Sequence, residues 1–404
     1  MFKRLDFTIL LSVLGLVGMG LVALYSSSFT AMSEGVGTNY FYKQMIWSML
    51  GTGIMIIIYF IPNRLIFESA YLLYAVSLLL LVLVIFFGKV GLGAERWIRL
   101  GPLVVQPSEI AKLSTILALA RYISREKMDL NHLQDFFLAS LIVFFPFILI
   151  VQQPDLGTSM VILALALPMY YWGGLKGGNL ALIMTPVVII FASFQFYAFL
   201  IIMILLVGYL IYSQRSKFVI VFNFFANIIM GLITPFLWNH LKPYQQNRIK
   251  VFLNPEADPR GAGYQIIQSK VAIGSGGFSG KGFMQGSQTQ LRFLPEQHTD
   301  FIFAVVGEEF GFVGILAGLV LFYLFLMRGV KLATVLKSRF NQLVTIGIVT
   351  VIGFHVVVNI GMTIGLLPVT GLPLPFMSYG GSALLTNMAM VGILLNFYRN
   401  RYEY

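Results

Sequence analysis

FLPEQHTDFIFAVVGEEFGFVGILAGLVLFYLFLM, residues 293–327, sets a group of ionisable side chains at the start of a long apolar run. The apolar part is longer than the roughly 20 residues that a helix needs to cross the hydrocarbon core of a bilayer. Ionisable side chains at membrane depth are costly and usually mark a functional site. The stretch therefore predicts a membrane-spanning helix with a functional site at its beginning, where Asp300 is the residue to explain.

The apolar character extends through the whole chain. Of its 404 residues, 58% are hydrophobic and 11% are charged, and the mean hydropathy is +0.85. This composition predicts an all-α polytopic membrane protein. The apolar runs predict about twelve transmembrane helices, near residues 6–27, 43–61, 65–87, 108–120, 136–151, 156–172, 179–196, 197–212, 218–237, 301–327, 342–366 and 376–398. The seventh and eighth runs meet near Gln195 to Phe199 without a strong turn signal, and merging them would invert the topology downstream.

Basic residues predict the orientation of these helices, because short loops rich in Lys and Arg stay in the cytoplasm. With twelve spans and the N-terminus inside, 15 of the 27 basic residues fall on one side: Lys3, Arg4, Arg64, Arg121, Arg125, Lys127, Lys176, Arg215, Lys217, Arg328, Lys331, Lys337, Arg339, Arg399 and Arg401. We therefore expect both termini in the cytoplasm. We expect one integral membrane domain, with N-terminal helices at 1–237, a large extracytoplasmic loop at 238–300 and C-terminal helices at 301–404.

Net charge and cysteine content exclude several classes of function. The net charge of +11 comes mostly from the predicted cytoplasmic loops and helix ends, which face anionic lipid headgroups. It therefore does not predict nucleic-acid binding. The first apolar run is longer than the core of a signal peptide and lacks a small-residue cleavage site, so we expect it to be retained. The chain has no Cys, which excludes disulfides and thiolate metal sites.

The predicted topology places polar motifs at the outer ends of several helices. Glu109 and Lys112 lie three residues apart at the start of the fourth helix, where an ion pair is geometrically possible. Asp155 begins the sixth helix, and Asp300 lies at or near the first turn of a later helix, with Thr299 as its cap. An acidic residue in a first turn also complements the helix dipole without any catalytic role, and this alternative stays open for Glu109 and Asp155.

Two further features also have alternative explanations. Ser378 lies in LPLPFMSYGG at 372–381, where Pro and Gly mark the outer start of the last helix or simply shape a re-entrant turn. On a continuous helix, Glu308 would lie about 12 Å deeper than Asp300 and about 80° round from it, with Glu309 nearly opposite. Of the two, only Glu308 could therefore share the cavity of Asp300, and the alternative for either glutamate is a packing ion pair with Lys or Arg.

The long segment after residue 238 has two amphipathic pieces, YQQNRIKVFL at 244–253 and YQIIQSKVAIG at 264–274, which predict interfacial helices. Their cations are candidates for neutralising the phosphates of a lipid-linked ligand, or for binding ordinary lipid headgroups: Arg248, Lys250, Lys270 and, further on, Lys281. The glycine-rich GSGGFSGKG at 274–282 departs from the P-loop pattern. No nucleotide, haem or zinc motif is present.

Five segments together resemble the SEDS family of bacterial membrane proteins. They are ERWIRLGPLVVQPSEIAK at 95–112, QPDLGTS at 153–159, DPRGAGYQIIQSKVAIGSGGFSGKG at 258–282, FLPEQHTDFIFAVVGEE at 293–309 and VNIGMTIGLLPVTGLPLPFMSYGGSALL at 358–385. The sequence GSQTQLRFLPEQHTDF favours the elongation branch of the family over the division branch. The resemblance implies a core of ten helices, so residues 179–238 would hold about two extra ones.

The resemblance implies a peptidoglycan glycosyltransferase that polymerises lipid II at the outer face of the cytoplasmic membrane and releases undecaprenyl pyrophosphate. It implies that Asp300 is the essential acidic residue, which we interpret as a general base. Substrate-binding or supporting positions are expected at Glu109, Lys112, Asp155, Arg96, Lys270, Lys281, Glu308 and Ser378. A divalent cation, Mg or Mn, is a candidate cofactor, and Asp300 is a candidate ligand for it.

The resemblance also implies partners, namely a class B penicillin-binding protein that acts as transpeptidase and other membrane proteins of the elongation complex. A lipid II flippase is the alternative function, since charged residues within the membrane also line translocation paths. The motifs concentrate on one face, and the two halves show no paired interrupted helices. Both observations disfavour a transporter.

Overall fold

The structure is a computed structural model, and it describes residues 5–33, 39–87, 89–91, 94–100, 103–213, 217–241, 243–254, 256, 258 and 261–402. It contains fifteen α-helices and three short strands within these ranges. They are α1 (Phe7–Ser33), α2 (Tyr40–Phe60), α3 (Asn63–Phe87), β1 (Lys89–Gly91), β2 (Ala94–Leu100), β3 (Leu103–Val105), α4 (Pro107–Ile123), α5 (Leu133–Gln152), α6 (Leu156–Trp172), α7 (Gly177–Ala192), α8 (Phe196–Tyr212), α9 (Lys217–His240), α10 (Pro243–Leu253), α11 (Ala262–Gly276), α12 (Ser287–Gln290), α13 (Ile302–Val335), α14 (Arg339–Thr363) and α15 (Gly381–Arg399).

Each of the twelve predicted spans coincides with one helix, and α7 and α8 are separate helices that break at Ser193–Gln195. In the described part of the chain, eight helices are long and apolar enough to cross a membrane, and α6, α7 and α8 are shorter apolar helices. The remaining predicted span is α4, a 17-residue helix that carries the charged pair Glu109 and Lys112. The protein is a polytopic helical membrane protein.

Two details differ from the prediction. The last helix begins at Gly381 instead of 376, because the chain before it contains prolines and left-handed backbone at Gly371 (φ 77°) and Phe376 (φ 66°). The strands β1, β2 and β3 form a small antiparallel sheet between α3 and α4, with Trp97 opposite Lys89 and Ile98 opposite Val105. An all-α interpretation overlooked this sheet, since strands of three to seven residues leave little hydrophobic pattern.

The core of the molecule lies around α4, α14 and α15. Nearly every residue of α4 is buried, and α14 and α15 are the most buried of the long helices. Helix α14 packs against α4, α6 and α13, while α15 packs against α2. The predicted interfacial helices correspond to α10 and α11. One face of α11 packs against α13 and α14, where the buried Ser269 hydroxyl donates to the Thr363 carbonyl at 2.7 Å.

Helix α13 is broken at Gly311, where φ is 61° and ψ is −155°. A helix break leaves backbone groups that must find other partners in an apolar environment. The glycine-rich stretch 277–282 supplies them through four backbone hydrogen bonds of 2.9 to 3.2 Å: Lys281 N to Glu308 O, Gly282 N to Glu309 O, Phe312 N to Gly277 O and Val313 N to Phe278 O. The stretch therefore completes the broken helix, which accounts for its position next to α13.

Close approach of the two backbones explains the glycines. A Cβ atom on Gly276 would overlap with the carbonyl oxygen of Gly307, and one on Gly280 would overlap with that of Glu309. Gly280 also has a φ of 83°, in the left-handed region that favours glycine. GSGGFSGKG is thus a packing motif in this protein.

Helices α7, α8 and α9 form a bundle of their own. They pack on one another around a separate hydrophobic cluster that includes Ile189, Met203 and Leu210, and α7 connects the bundle to α6. The Asn227 amide of α9 donates to the Thr185 hydroxyl of α7 at 3.2 Å. The stretch predicted to carry extra helices therefore folds as three helices beside the core.

Candidate active site

Asp300 lies in a turn directly before α13. The backbone N–H groups of residues 299–301 all point to the Glu296 carbonyl, at 3.1 to 3.4 Å, and Phe301 is the residue that caps the helix. The prediction of Thr299 as the cap is wrong, because its hydroxyl instead donates to the Glu296 carbonyl at 3.2 Å. Since Asp300 is outside the helix, the angles predicted between it and the two glutamates do not apply.

Buried groups hold the backbone around Asp300 from two sides. The Asn359 amide donates to the Asp300 carbonyl at 2.9 Å, and the Ser378 hydroxyl donates to the Thr299 carbonyl at 2.5 Å. Gly371 stands beside the carboxylate, and a Cβ there would be 3.7 Å from Asp300 Oδ2. Gly371 is exposed, and Asp300 is partly buried. Ser378 thus acts on the site by fixing its backbone.

The surroundings of Asp300 favour its neutral form. Burial, with a smaller contribution from the Glu296 carboxylate, raises the pKa of Asp300 from 3.8 to about 6, against the opposing effects of Arg248 and the Thr299 hydroxyl. Burial lowers the pKa of the nearby His298, whose ring stacks on Tyr40 with centroids 3.9 Å apart. A carboxyl with a pKa near the working pH is suited to accepting a proton.

The predicted ion pair of α4 is confirmed. Lys112 Nζ lies 2.8 Å from Glu109 Oε1, and the two side chains are only 1% and 4% exposed. The same ammonium lies 3.1 Å from Nε2 of His355, which is buried on α14. Lys112 is therefore enclosed by protein groups and does not reach the surface in this structure.

A short segment at 371–374 connects this ion pair to Asp300. His355 Nδ1 lies 3.1 Å from the Pro373 carbonyl, and the Asn359 amide donates to the Leu372 carbonyl at 2.8 Å. The Leu374 N–H donates to the Ser378 hydroxyl at 2.9 Å. Three successive residues of the segment are thus each held by one buried polar side chain.

His355 and Asn359 were missed by the sequence interpretation. They stand four residues apart on one face of α14, in the mainly apolar second half of that helix. Polar side chains at membrane depth are a signal that could have identified them. Their partners are distant in sequence, so the roles of these two residues appear only in the folded chain.

Asp155 is the N-cap of α6, as its position predicted. Its carboxylate accepts from the Thr158 N–H at 3.2 Å and from the Thr158 hydroxyl at 2.9 Å. The Gln106 amide donates to the same carboxylate at 3.2 Å, and the Gln106 N–H donates to the Ser382 hydroxyl at 3.2 Å. Asp155 therefore ties the start of α6 to the starts of α4 and α15.

The Glu308 carboxylate makes its contacts away from Asp300. It lies 2.9 Å from Lys281 Nζ and accepts from Gln288 N at 2.9 Å and from Thr289 N at 3.0 Å, at the start of α12. The Ser26 hydroxyl donates to Glu309. The alternative of a packing ion pair therefore describes Glu308 and Lys281 in this structure.

The remaining predicted positions are less closely connected to the site. Lys270 is exposed on α11 and lies beside Gly365. Arg96 falls in β2, and its side chain lies outside the described residues. Among the side chains that the structure describes, no group of three or more His, Asp or Glu could hold a metal ion.

Comparisons with known proteins agree with this architecture. The family model for FtsW, RodA and SpoVE, described as cell cycle protein, matches residues 7–203 and 179–403. The chain is 38% identical over 399 residues to the peptidoglycan glycosyltransferase MrdB of Escherichia coli, covering 98% of this chain and 94% of that protein. It is 33% identical over 429 residues to the peptidoglycan glycosyltransferase RodA of Treponema pallidum, covering 97% and 96%.

Solved structures show the same likeness. Thermus thermophilus RodA superposes with a TM-score of 0.66 at 28% identity, covering 99% of this chain and 98% of that one. A chain from a peptidoglycan synthase complex that coordinates polymerization and crosslinking superposes with a TM-score of 0.74 at 32% identity, covering 99% of both. The chain therefore belongs to the SEDS family of FtsW, RodA and SpoVE proteins, and its similarities favour the rod-shape member.

Proposed function

We propose that this protein is the peptidoglycan glycosyltransferase of cell elongation, which polymerises lipid II into glycan strands and releases undecaprenyl pyrophosphate. The observation that carries the proposal is the partly buried Asp300 carboxyl with a pKa of about 6, held at the mouth of a membrane helix beside the exposed Gly371. Relatives that match nearly the whole chain are named peptidoglycan glycosyltransferases, which supports the same activity.

In this mechanism, Asp300 acts as the general base. Its ionised carboxylate accepts the proton of the acceptor sugar hydroxyl as that oxygen attacks the anomeric carbon of the lipid-linked donor. The bond from that carbon to the pyrophosphate oxygen breaks, and the pyrophosphate leaves with the bonding electrons. The transition state has oxocarbenium character, as in glycoside chemistry. A positioned base of this kind contributes roughly 10²- to 10⁴-fold to the rate.

The leaving pyrophosphate needs positive charge. Arg248 acts electrostatically on Asp300 and so lies near the reacting groups, and Lys270 is exposed on α11. The donor set of the described residues is one partly buried carboxylate, Asp300, with Glu296 close by. A Mg²⁺ or Mn²⁺ ion that is held mainly by the diphosphate would need only one or two such carboxylates. This is the alternative role of Asp300, which as a metal ligand would not act as the base. Such an ion would neutralise charge on the diphosphate.

The orientation of the protein follows from its basic loops. We propose that both termini lie in the cytoplasm and that Asp300 faces the extracytoplasmic side of the bacterial cytoplasmic membrane. ATP is absent from that side, so the substrate must carry its own leaving group. We further propose a class B penicillin-binding protein as partner, because a structural neighbour is part of a complex that coordinates polymerization and crosslinking.

The test is glycan polymerisation by the purified protein with lipid II, with and without its penicillin-binding partner and a divalent cation. We expect long strands from the native protein and none from Asp300→Ala or Asp300→Asn. The matched control is Glu256→Gln, which alters an exposed carboxylate of the same extracytoplasmic segment and should polymerise normally. Absence of polymer from the native protein under all conditions, with movement of lipid II between leaflets of vesicles, would establish the flippase instead.

A further inference from the structure

The contacts of His355 fix its protonation state. Lys112 Nζ has only hydrogens to give, so His355 Nε2, 3.1 Å away, must accept. The Pro373 carbonyl can only accept, so Nδ1, also 3.1 Å away, must donate. The neutral ring with its proton on Nδ1 satisfies both partners. A protonated ring would have no acceptor left for Lys112.

His355 thereby forms a continuous link between two parts of the molecule. On one side is the buried pair Glu109 and Lys112, and on the other is the 371–374 segment. Within that segment Gly371 stands beside the Asp300 carboxylate, since an added Cβ would be 3.7 Å from its Oδ2. Asn359, one turn further along α14, holds both the adjacent Leu372 carbonyl and the Asp300 carbonyl.

We propose that His355 is a positioning residue through which the Glu109–Lys112 ion pair holds the 371–374 segment, and with it Asp300, in the reactive geometry. The inference rests on the proposed transferase function. All three ionisable side chains of the link are buried, so they act on the reaction without touching the substrate. Misplacement of a reacting group by about 1 Å can cost roughly 100-fold in rate.

Loss of the link should therefore lower kcat and leave KM nearly unchanged. For His355→Leu, which removes both hydrogen bonds, we expect kcat to fall at least about tenfold and KM to change less than about twofold. His355→Gln offers one acceptor for Lys112 and N–H donors for Pro373, so it should keep kcat within about threefold of the native value. The control is Thr345→Val, a buried α14 residue whose hydroxyl bonds to its own helix.

A double-mutant cycle tests whether His355 acts through Lys112. If it does, the double variant Lys112→Met/His355→Leu should lose no more kcat than Lys112→Met alone, because the two residues form one unit. Losses that multiply would contradict the proposal. So would a folded His355→Leu protein with native kcat, or a His355→Gln protein as impaired as His355→Leu.

The four proteins of this cycle are the native protein, Lys112→Met, His355→Leu and the double variant. They also show whether a negative result contradicts this proposal or the proposed function. If the native chain makes no glycan at all, the transferase assignment fails, and the link is then judged from melting temperatures in detergent. Non-additive shifts for the Lys112 and His355 variants would support the physical coupling, whereas additive shifts would exclude it. Thr345→Val should shift the melting temperature independently of both.

Discussion

At the scale of single residues, the carboxyl of Asp300 is a group whose charge the fold opposes. Its pKa of about 6 means that an acidic medium protonates it and removes the proposed base. We expect the polymerisation rate of the native protein to rise as the pH passes through about 6 and to level off above. Initial rates across this range, measured at saturating lipid II, give the profile.

The neighbour Glu296 provides the control for that profile. Its negative charge contributes to the raised pKa of Asp300, so Glu296→Gln should lower that pKa. The rise in rate should then move to lower pH with little change in the plateau. An unchanged profile in this variant would show that another group limits the rate in acid.

The same raised pKa has a consequence for stability. The pKa of Asp300 is about 6 in the folded protein and 3.8 as its ordinary value, so folding disfavours the ionised form. Below about pH 3 the group is mostly neutral in both states and contributes almost nothing, whereas above about pH 6 its burial costs the full amount of stability. Asp300→Asn should therefore raise the melting temperature by a few degrees at pH 8 and leave it nearly unchanged at pH 3. A lower melting temperature at pH 8 would contradict this.

Sequence identified the charged members of the site better than the polar ones. Asp300, Glu109 and Lys112 stand out because charge in an apolar chain is rare. His355 and Asn359 were missed because their importance comes from carbonyl groups of residues 372 and 373, which only the fold brings beside α14. For Glu308 the sequence left two interpretations, the cavity of Asp300 or a packing ion pair, and in the structure its carboxylate binds Lys281 and the start of α12.

At the scale of elements, the broken helix α13 depends on glycines that let the 277–282 backbone approach it. Gly276 and Gly274 lie two residues apart in α11, which gives a matched pair of substitutions. Gly276→Ala would push a methyl group into the Gly307 carbonyl, whereas a methyl group on Gly274 meets nothing within 4 Å. Overpacking costs about 1–3 kcal/mol or more, and Ala in a helix gains up to about 1 kcal/mol over Gly.

We therefore expect Gly276→Ala to lower the melting temperature by several degrees or to abolish the folded yield. Gly274→Ala should leave the melting temperature unchanged or raise it slightly. The melting temperature is measured by heating each variant in detergent and quantifying the protein that remains folded by size-exclusion chromatography. The same chromatography gives the folded yield. Equal behaviour of the two variants would mean that the backbones are less close than the structure shows.

Hydropathy predicted where the helices lie because each span must be apolar over its own length. It did not predict the break at Gly311, since the backbone groups that hydrogen-bond to the broken helix lie about 30 residues earlier in the chain. The sheet formed by β1, β2 and β3 was missed for a similar reason, because its strands are defined by pairing between neighbours. Local pattern therefore predicted the long helices and missed the irregular segments that shape the site.

At the scale of the whole molecule, sidedness is the property that the proposed reaction requires. The chain has no Cys, so single cysteines can be introduced as reporters. Glu126 lies on the side predicted to be cytoplasmic and Gln285 on the side predicted to be outside, and both are exposed. The experiment uses cells whose cytoplasmic membrane is intact and whose outer envelope lets the reagent through. A maleimide that cannot cross the cytoplasmic membrane should label Gln285→Cys at once and Glu126→Cys only after lysis. The reverse pattern would place Asp300 in the cytoplasm.

The α7–α9 bundle, with its separate hydrophobic cluster and its attachment through α7, has a consequence for how the protein comes apart. Regions with their own core and few outside contacts open as cooperative units before the rest of a structure does. Amide hydrogens of α8 and α9 should therefore exchange with deuterium together, and faster than those of α14, which sits in the main core. The membrane protein would then contain two foldons of unequal lifetime, and the more durable one would carry Asp300.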